Sequence, residues 1–276
     1  MTSTAQHADN IRRAVVEMCS GPDGGHLGGS LSLVDILSCL YFDVLDIDPQ
    51  RPAEATRDIF LLSKGHGAIA LYATLAERGY FPAAELEEYC RSGGRLMSHP
   101  VAAVPGVELP TGSLGHGLAL GLGFALAARL FGPPRRVFVV LGDGELQEGS
   151  CWEAAGVAAA HGADQLTAVI DRNGLQLGGN TESIVTLEPL AERWRSFGWS
   201  VREVDGHDQQ ALSAHLGAAP WTPGRPSVLI AHTDKGHGVP QLSGLRQSHY
   251  VVLSATQQAR VRSSLESFLS EGGALL

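Results

Sequence analysis

The sequence has few of the features that mark nucleic-acid-binding, metal-binding or redox proteins. Its 276 residues carry a formal net charge of −9, and no block of lysine or arginine forms a basic stripe, so nucleic acid and anionic membrane surfaces are not expected as partners. The four cysteines, Cys19, Cys39, Cys90 and Cys151, show no CxxC or CxxH spacing. This scatter argues against a zinc site or redox motif and suits reduced thiols in the cytoplasm.

A signal peptide and a membrane span are also missing from the pattern. No apolar core follows a basic start at the N-terminus, so a secretory signal is not visible. The longest apolar run, from Leu118 to Phe131, has about 14 glycine-rich residues, which is too short to cross a bilayer. Hydrophobic residues make up 44% of the chain, which argues against a disordered or fibrous protein and indicates an ordinary globular one.

Short apolar runs alternate with helical stretches from Ile59 onward, which is typical of a parallel sheet. Residues 8–19 and a segment capped by Ser30 are expected to form helices ahead of the first strand. The predicted strands cover 59–63, 136–144, 166–174, 199–206 and 226–236. The predicted helices cover 68–78, 114–130, 149–161, 187–197, 209–216 and about 255–270. We therefore predict an α/β fold, a mostly parallel sheet with helices on both faces, in a single domain over residues 1–276.

Two motifs follow neighbouring strands of this pattern. GDGELQEG at 142–149 comes directly after VFVVL, and Asn173 in IDRNGLQLGG follows Asp143 by 30 residues. The intervening helix returns the chain to the same sheet edge, where ligands of open parallel sheets bind. Glycines on both sides of Asp143 allow backbone amides to approach phosphate oxygens closely. Taken singly, each motif is also compatible with a simple tight turn.

The oxygen atoms in these motifs are suited to a hard divalent cation. Mg²⁺ takes oxygen ligands in octahedral geometry, and the Asp143 carboxylate, the Asn173 amide oxygen and a backbone carbonyl near Leu175 supply three. Phosphate groups and water would supply the rest. The pair of motifs therefore predicts a site for a metal ion bound together with a diphosphate.

The sequence resembles the transketolase family, in particular the split form whose N-terminal half is a separate chain. The resemblance covers nearly the whole sequence. The matching stretches are GGHLGGSLSLVDIL (24–37), DIFLLSKGHGAIALYATLAERGY (58–80), MSHP (97–100), PGVELPTGSLGHGLALGLGFALA (105–127), GDGELQEG and DRNGLQLGG. It implies the thiamine-diphosphate-binding fold of the type that holds the diphosphate, and two-carbon ketol transfer from a ketose donor to an aldose or other aldehyde acceptor.

The resemblance also implies roles for individual residues. It implies thiamine diphosphate and Mg²⁺, with Ca²⁺ or Mn²⁺ as substitutes, as cofactors. Asp143, Asn173 and the Leu175 carbonyl look like the metal ligands. Cofactor contacts are implied for His66, Gly112, Ser113, Leu114, Gly142, Asp143, Gly144, Glu148, Asn173 and Leu175. Catalytic roles are implied for His26, His66, His99, His249 and for Glu148, which resembles a glutamate of a proton network at the subunit interface.

A second polypeptide is implied as well. In unsplit relatives a further domain supplies the glutamate that activates the pyrimidine ring, so we expect a separate C-terminal subunit and an α₂β₂ assembly. The sequence departs from the family at Arg172, at the Gly-Gly ending LQLGG and at SHY (248–250), which weakens the match of His249. These departures leave room for a specialised acceptor.

Three alternatives remain open at this stage. One is another thiamine-diphosphate reaction, such as deoxyxylulose-phosphate synthesis or an acyloin-type transfer in secondary metabolism. Another is a scaffold subunit that keeps the fold without catalysis. The third is a dinucleotide-binding Rossmann protein, although GDGELQEG lacks the GxGxxG register and places an acid where a pyrophosphate would be repelled without a metal ion.

Overall fold

A computed structural model describes residues 2–272, and its centre is a sheet of five parallel strands. The strands of the chain are Ile59–Leu62 (β1), Val137–Gly142 (β2), Leu166–Arg172 (β3), Leu175–Gln176 (β4), Gly179–Asn180 (β5), Ser200–Asp205 (β6) and Ser227–His232 (β7). The sheet has the order β1-β2-β3-β7-β6, with all neighbours parallel. Strands β4 and β5 form a separate antiparallel pair that the sequence did not predict.

Helices connect these strands and lie on both sides of the sheet. They are Thr4–Met18 (α1), Leu27–Leu31 (α2), Val34–Cys39 (α3), Ala68–Arg78 (α4), Gly117–Phe131 (α5), Gly149–Ala160 (α6), Thr181–Ile184 (α7), Leu190–Ser196 (α8), Gln209–Gly217 (α9) and Ala255–Ser270 (α10). Helix α10 begins with a capping box formed by Ser254 and Gln257. Its buried side chains, Val261, Leu265 and Phe268, follow helical spacing.

Hydrophobic side chains cover both faces of the sheet because successive residues of a strand point to opposite sides. Phe138 and Val140 of β2 pack in a cluster with α1, α3 and α4. Val137 and Val139 pack in a second cluster with α5, α6 and α8. A sheet buried on both faces needs continuous apolar strands, which explains the runs in the sequence. The predicted fold class is confirmed.

The prediction that Ser30 caps the second helix is wrong. Ser30 lies inside α2, and its hydroxyl is buried without a hydrogen-bond partner among residues 2–272. The helical segment begins at Leu27, is interrupted between α2 and α3, and ends in a wider π-helical turn at Leu40–Val44. Packing inside the protein accompanies these bounds, because every residue of α2 and α3 is buried. Side-chain capping at Ser30 therefore has no role here.

One helical stretch is apolar and long enough, by length and composition alone, to cross a membrane. It is Leu27–Val44, with 18 residues and a mean hydropathy of 1.4. In the fold 89% of this stretch is buried. Core helices of soluble proteins meet the same criterion, and the burial matches that of a core helix.

Candidate active site at the carboxyl edge of the sheet

A cavity of about 390 Å³ opens where β1, β2, β3 and β7 end. This is the edge at which open parallel sheets bind ligands, because each strand there gives way to a loop. All of the site residues predicted from sequence line it except Ser113. The lining includes His26, His66, His99, Gly112, Leu114, Gly142, Asp143, Gly144, Glu148, Asn173, Leu175 and His249. Ser113 is exposed, and its carbonyl accepts a hydrogen bond from His116.

Four histidines converge on one side of the cavity. The His26 ring centre lies 5.5 Å from that of His66, 5.8 Å from His99 and 5.3 Å from His249. His26 follows Gly25, and His66 lies in the glycine-rich turn after β1. With His99 and His249, four distant stretches of the sequence therefore meet at the cavity. Nδ1 of His26 has no hydrogen-bond partner among the described residues. The hydrogen-bonding capacity of this buried nitrogen is therefore not used within residues 2–272.

The environment keeps these imidazoles uncharged at neutral pH. Burial, with smaller effects of His99, Lys64 and Lys235, lowers the pKa of His26 to about 4. Burial and then Lys235 lower the pKa of His249 to about 4. The pKa values of His66 and His99 are also lowered, mainly by burial. An uncharged imidazole has one N–H group and one lone pair, so it can donate to one oxygen and accept from another.

Asp143 is held at the tip of β2 by three donors. Its Oδ1 accepts from the Gly144 amide at 2.8 Å, and its Oδ2 accepts from the Gly174 amide at 2.6 Å and from Arg172 Nη1 at 3.0 Å. Burial raises the pKa of this carboxyl, with a further contribution from Asp171, while the Gly174 amide and Arg172 oppose the rise. These bonds fix the carboxylate on the cavity wall.

Asn173, in the turn after β3, and Leu175, the first residue of β4, line the same cavity as Asp143. The Asn173 amide oxygen accepts from the Leu175 amide at 3.1 Å, and the Leu175 carbonyl accepts from Lys235 Nζ at 3.1 Å. The three oxygen groups predicted as metal ligands thus occupy one stretch of wall. Each already receives a hydrogen bond from the protein, so an incoming cation would have to compete with Arg172 and Lys235 for them.

Two lysines in the cavity were missed by the sequence reading. Lys64 Nζ lies 3.3 Å from the Gly29 carbonyl and is paired with Asp171. Lys235 Nζ donates to Leu175 and lies 3.2 Å from Nδ1 of His249. Burial, then Lys64, lowers the pKa of Lys235 to about 8. Both side chains are buried, and that of Lys64 packs next to Gly142.

A sequence signal for these lysines exists. They are the two lysines of the 276-residue chain, and each begins the same tetrapeptide, KGHG, at 64–67 and 235–238. Lysine is almost never fully buried without a partner, yet these side chains are 1% and 3% exposed. Their rarity and the repeated tetrapeptide together would have indicated a buried cationic site.

Glu145 is another residue that the sequence reading left out. It accepts hydrogen bonds from the amides of Gly115 at 2.9 Å and Gly142 at 3.2 Å, and from the Ser63 hydroxyl. Its carboxylate therefore joins the loop before α5 to the ends of β1 and β2. Glu148, by contrast, is exposed on the rim, at the start of α6, and its side chain does not cap that helix.

Gly112 shows why this loop requires glycine. Its φ is +154°, and a Cβ at this position would lie 3.0 Å from Cδ2 of His99. A side chain would therefore push His99 away from the other histidines. The close approach of backbone to ring is what keeps the loop at the cavity wall.

Fold and site together define a class: a parallel α/β protein with hard oxygen groups, buried cations and uncharged histidines at the carboxyl edge of its sheet. The chain belongs to the transketolase family, since residues 3–268 match the family model described as "Transketolase, thiamine diphosphate binding domain". This membership confirms the resemblance seen in the sequence. It is at odds with the dinucleotide-binding alternative.

Several relatives cover almost the whole chain. An apulose-4-phosphate transketolase subunit from Phocaeicola vulgatus is 40% identical over 91% of this chain and 89% of its own length. A 6-deoxy-6-sulfo-D-fructose transketolase subunit from Clostridium sp. is 41% identical over 90% of this chain and 91% of its own. The chain is thus similar in extent to proteins that are named as subunits.

Solved transketolases share the fold. The structure of transketolase from Leishmania mexicana superimposes with a TM-score of 0.89 at 29% identity, covering 96% of this chain and 42% of that protein. The chain therefore spans less than half the length of the transketolases whose structures it matches. The same holds for curated transketolases such as transketolase 2 of Escherichia coli, of which 40% is covered.

Proposed function

We propose that the chain is the diphosphate-binding subunit of a thiamine-diphosphate- and Mg²⁺-dependent transketolase that transfers a two-carbon ketol unit to an aldehyde acceptor. The observation that carries this proposal is the cavity in which Asp143, Asn173 and Leu175 face four uncharged histidines. Membership of a thiamine-diphosphate-binding family supports the cofactor. The similarity to relatives named as transketolase subunits supports the reaction.

The groups in the cavity fit a metal-bound diphosphate. Asp143, Asn173 and the Leu175 carbonyl offer oxygen ligands, which suits Mg²⁺ and its substitutes Ca²⁺ and Mn²⁺. The ammonium group of Lys235 offers positive charge for phosphate oxygens, whereas that of Lys64 also lines the cavity but is paired with Asp171. Gly142 and Gly144 allow close backbone approach, and Gly112, Ser113 and Leu114 would contact the remainder of the cofactor.

Thiamine diphosphate, when bound, supplies the nucleophilic carbon that cleavage next to a ketose carbonyl requires. The chain's own contribution is to orient the sugar and to move protons at its oxygen atoms. His26, His66, His99 and His249 are uncharged and close together, so their ring nitrogens can donate to or accept from substrate oxygens. Nδ1 of His249 accepts from Lys235, which leaves its Nε2–H group to donate. The exposed Glu148 on the rim would take part in proton transfer with the partner subunit.

The outward face of α5 supports assembly with other subunits. Leu120 and Leu130 are 39% and 63% exposed, and Val157 of the adjacent α6 is 47% exposed. Gly123 lies between them, and a Cβ there would meet no atom within 4 Å. An apolar helix face of this kind is typical of a surface that another polypeptide covers. We propose a separate C-terminal subunit and an α₂β₂ assembly in the cytoplasm, where the buried free thiol groups of Cys19 and Cys151 remain reduced.

The relatives suggest which donors to test. Apulose 4-phosphate and 6-deoxy-6-sulfofructose, the sugars named for two relatives, both carry an acidic group. We propose that the donor here is a ketose with such a group. A panel of phosphorylated, sulfonated and neutral ketoses with several aldehyde acceptors would identify it.

The test is reconstitution with a candidate C-terminal subunit encoded by a neighbouring gene. We expect the pair, but not this chain alone, to bind thiamine diphosphate tightly in the presence of Mg²⁺ and to transfer a ketol unit. Robust turnover by this chain alone would overturn the two-subunit proposal. Absence of cofactor uptake by the pair in calorimetry would overturn the assignment of the site itself.

A further inference from the structure

A second cluster of ionisable side chains lies outside the cavity, where β6 and β7 end. Asp35 from α3, His207 after β6 and His237 after β7 place possible ligand atoms within 4.8 Å of one another. Such a group has the composition of a metal site. Its hydrogen bonds, however, point to another role.

The proton on His207 is fixed by its two partners. The Asp234 amide donates to Nε2 at 2.8 Å, so Nε2 must carry the lone pair. Nδ1 therefore carries the proton and donates to Asp35 Oδ2 at 2.8 Å. An imidazole with both nitrogens engaged in this way has no lone pair for a metal ion. Arg12 also binds the same Asp35 oxygen, which places a positive charge where a cation would have to sit.

Asp35 is a firm anchor for this histidine. Burial alone would raise the pKa of Asp35, but Arg12, His207 and Gln209 hold it well below the usual range. Gln209 donates to the second carboxylate oxygen at 2.7 Å. At neutral pH the carboxylate, buried in the first turn of α3, is thus charged and accepts hydrogen bonds on both oxygens.

His207 holds the loop after β7 at two points. Besides the bond from Asp234, its ring stacks on His237 with a centroid separation of 3.5 Å and an interplanar angle of 8°. Between these points lies Lys235, whose ammonium projects to the other side, toward Leu175 and His249 in the cavity. Only Lys235 and Gly236 lie between Asp234 and His237, so the contacts of Asp234 and His237 with His207 determine where the ammonium of Lys235 lies.

We propose that Asp35 and His207 are positioning residues that hold Lys235 at the diphosphate end of the cavity. The identity of the ligand rests on the proposed function, whereas the connection from Asp35 through His207 to the loop that carries Lys235 does not. Gly236 completes the link, because its amide donates to the Gly28 carbonyl at 2.9 Å and a Cβ there would lie 2.6 Å from the Leu242 carbonyl oxygen. Gly236 therefore packs closely on the side that faces Gly28 and Leu242, while His207 holds the loop at the residues on either side of Lys235 and Gly236.

The composition of the chain provides a direct readout. With two lysines, an amine-selective acetylating reagent modifies Lys64, Lys235 and the N-terminal amine, which mass spectrometry of peptides separates. His207→Phe keeps a ring to stack on His237 and removes both hydrogen bonds. His207→Gln keeps polar groups and serves if the phenylalanine variant does not fold. His161→Gln, at an exposed position, is the matched control.

We expect acetylation of Lys235 to rise by about tenfold in His207→Phe, since local opening of one loop exposes it, while Lys64 stays protected. In the reconstituted pair, affinity for thiamine diphosphate with Mg²⁺ should fall by about tenfold, as is usual when the support of a ligand-binding group is removed. His161→Gln should change neither quantity. Partial restoration of both by His207→Gln would support the hydrogen-bond link.

Three results would overturn the inference. An equal rise at Lys64 and Lys235 would indicate general loosening, and unchanged labelling of Lys235 would show that the loop does not depend on His207. Stoichiometric Zn²⁺ uptake that His207→Phe abolishes would contradict the assigned tautomer. If instead Lys235 labelling rises but the wild-type pair takes up no thiamine diphosphate, the positioning link stands and the proposed function fails.

Discussion

Nζ of Lys64 lies 2.5 Å from Oδ2 of Asp171, and the two side chains are 1% and 0% exposed. Hydroxyl groups of Ser32 and Thr233 donate to the same carboxylate. Burial alone would raise the pKa of Asp171, but Lys64 and these hydroxyls hold it below its ordinary value. A charged pair therefore lies at the end of β3, beneath the cavity, and ties β1 to the centre of the sheet.

Removing the lysine should destabilise the fold. In Lys64→Met the carboxylate stays buried without its counter-charge, and we expect the free energy of unfolding to fall by about 3 kcal/mol. Urea denaturation followed by circular dichroism measures this. Arg51→Met, which removes a cation that is 66% exposed, is the control and should have little effect on the free energy of unfolding. A loss as small as that of the control would contradict the role given to the pair.

Asp143→Asn tests the proposed metal site while keeping a side chain of the same size at this position. The amide keeps the shape of the side chain but removes the charge, so we expect Mg²⁺-dependent uptake of thiamine diphosphate by the reconstituted pair to fall by at least about 100-fold. Arg172 would retain Glu182 and Glu188 as partners, so the loop should stay folded. Calorimetry gives the affinity. The exposed Asp46→Asn serves as control, and equal affinities in both variants would rule out Asp143 as a ligand.

The buried histidines should make stability depend on acid. Burial, as the largest cause, lowers the pKa values of His26 and His249 from 6.5 to about 4 and that of His237 to about 3. Between about pH 4 and 6.5 these histidines therefore bind more protons in the unfolded chain than in the folded one, and they lower the free energy of unfolding as pH falls. Above pH 6.5 this contribution is fully present. The raised pKa values of the Asp143 and Glu145 carboxyls act in the opposite direction.

A series of urea titrations from pH 7.5 to pH 4.5 measures that slope. His26→Gln should make it shallower, because one group that takes up a proton on unfolding is gone. His232→Gln, at a position 53% exposed, should leave the slope unchanged. Equal slopes in the wild type and in His26→Gln would contradict the assigned effect of burying His26.

Much of the fold could be predicted from local sequence patterns, whereas features that depend on contacts between distant residues could not. Strand ends such as Asp143 and Asn173 were predictable because hydrophobic period and glycine turns are local signals. For Lys235 the repeated KGHG and the rarity of lysine would have indicated a special position, but its contact with the Leu175 carbonyl joins residues 60 positions apart, which no local pattern gives. Ser30 failed for a related reason: capping preference is a local rule, and complete burial of the α2 segment outweighed it.

The predicted site shows the same division. Glycines around His26 and His66 indicated loops, yet no local signal says that these rings meet His249, which lies far along the chain. Glu145 was overlooked since a charged residue after a strand is usually solvated, whereas here it receives two backbone amides and a hydroxyl. Function was predicted through family resemblance more completely than through chemistry alone.

Gly123 separates the stability of the subunit from its assembly. It is exposed in the middle of α5, where a methyl group would meet no atom within 4 Å, so Gly123→Ala should raise the free energy of unfolding of the isolated chain by up to about 1 kcal/mol. If another polypeptide packs on this face, the added methyl group and, more strongly, the charge in Gly123→Glu should weaken association. Sedimentation velocity of the reconstituted pair measures this.

Gly217→Ala at the end of α9, also without a neighbour within 4 Å, is the matched control and should leave assembly intact. For Gly123→Ala we expect the isolated chain to become more stable and its association with the partner to weaken. Alanine favours the helix in the isolated chain, but its methyl group would collide with a subunit packed at that position. A variant that is more stable and assembles as well as the wild type, together with a Gly123→Glu variant that also assembles, would show that the α5 face is open to solvent. The exposed side chains of Leu120 and Leu130 would then need another explanation.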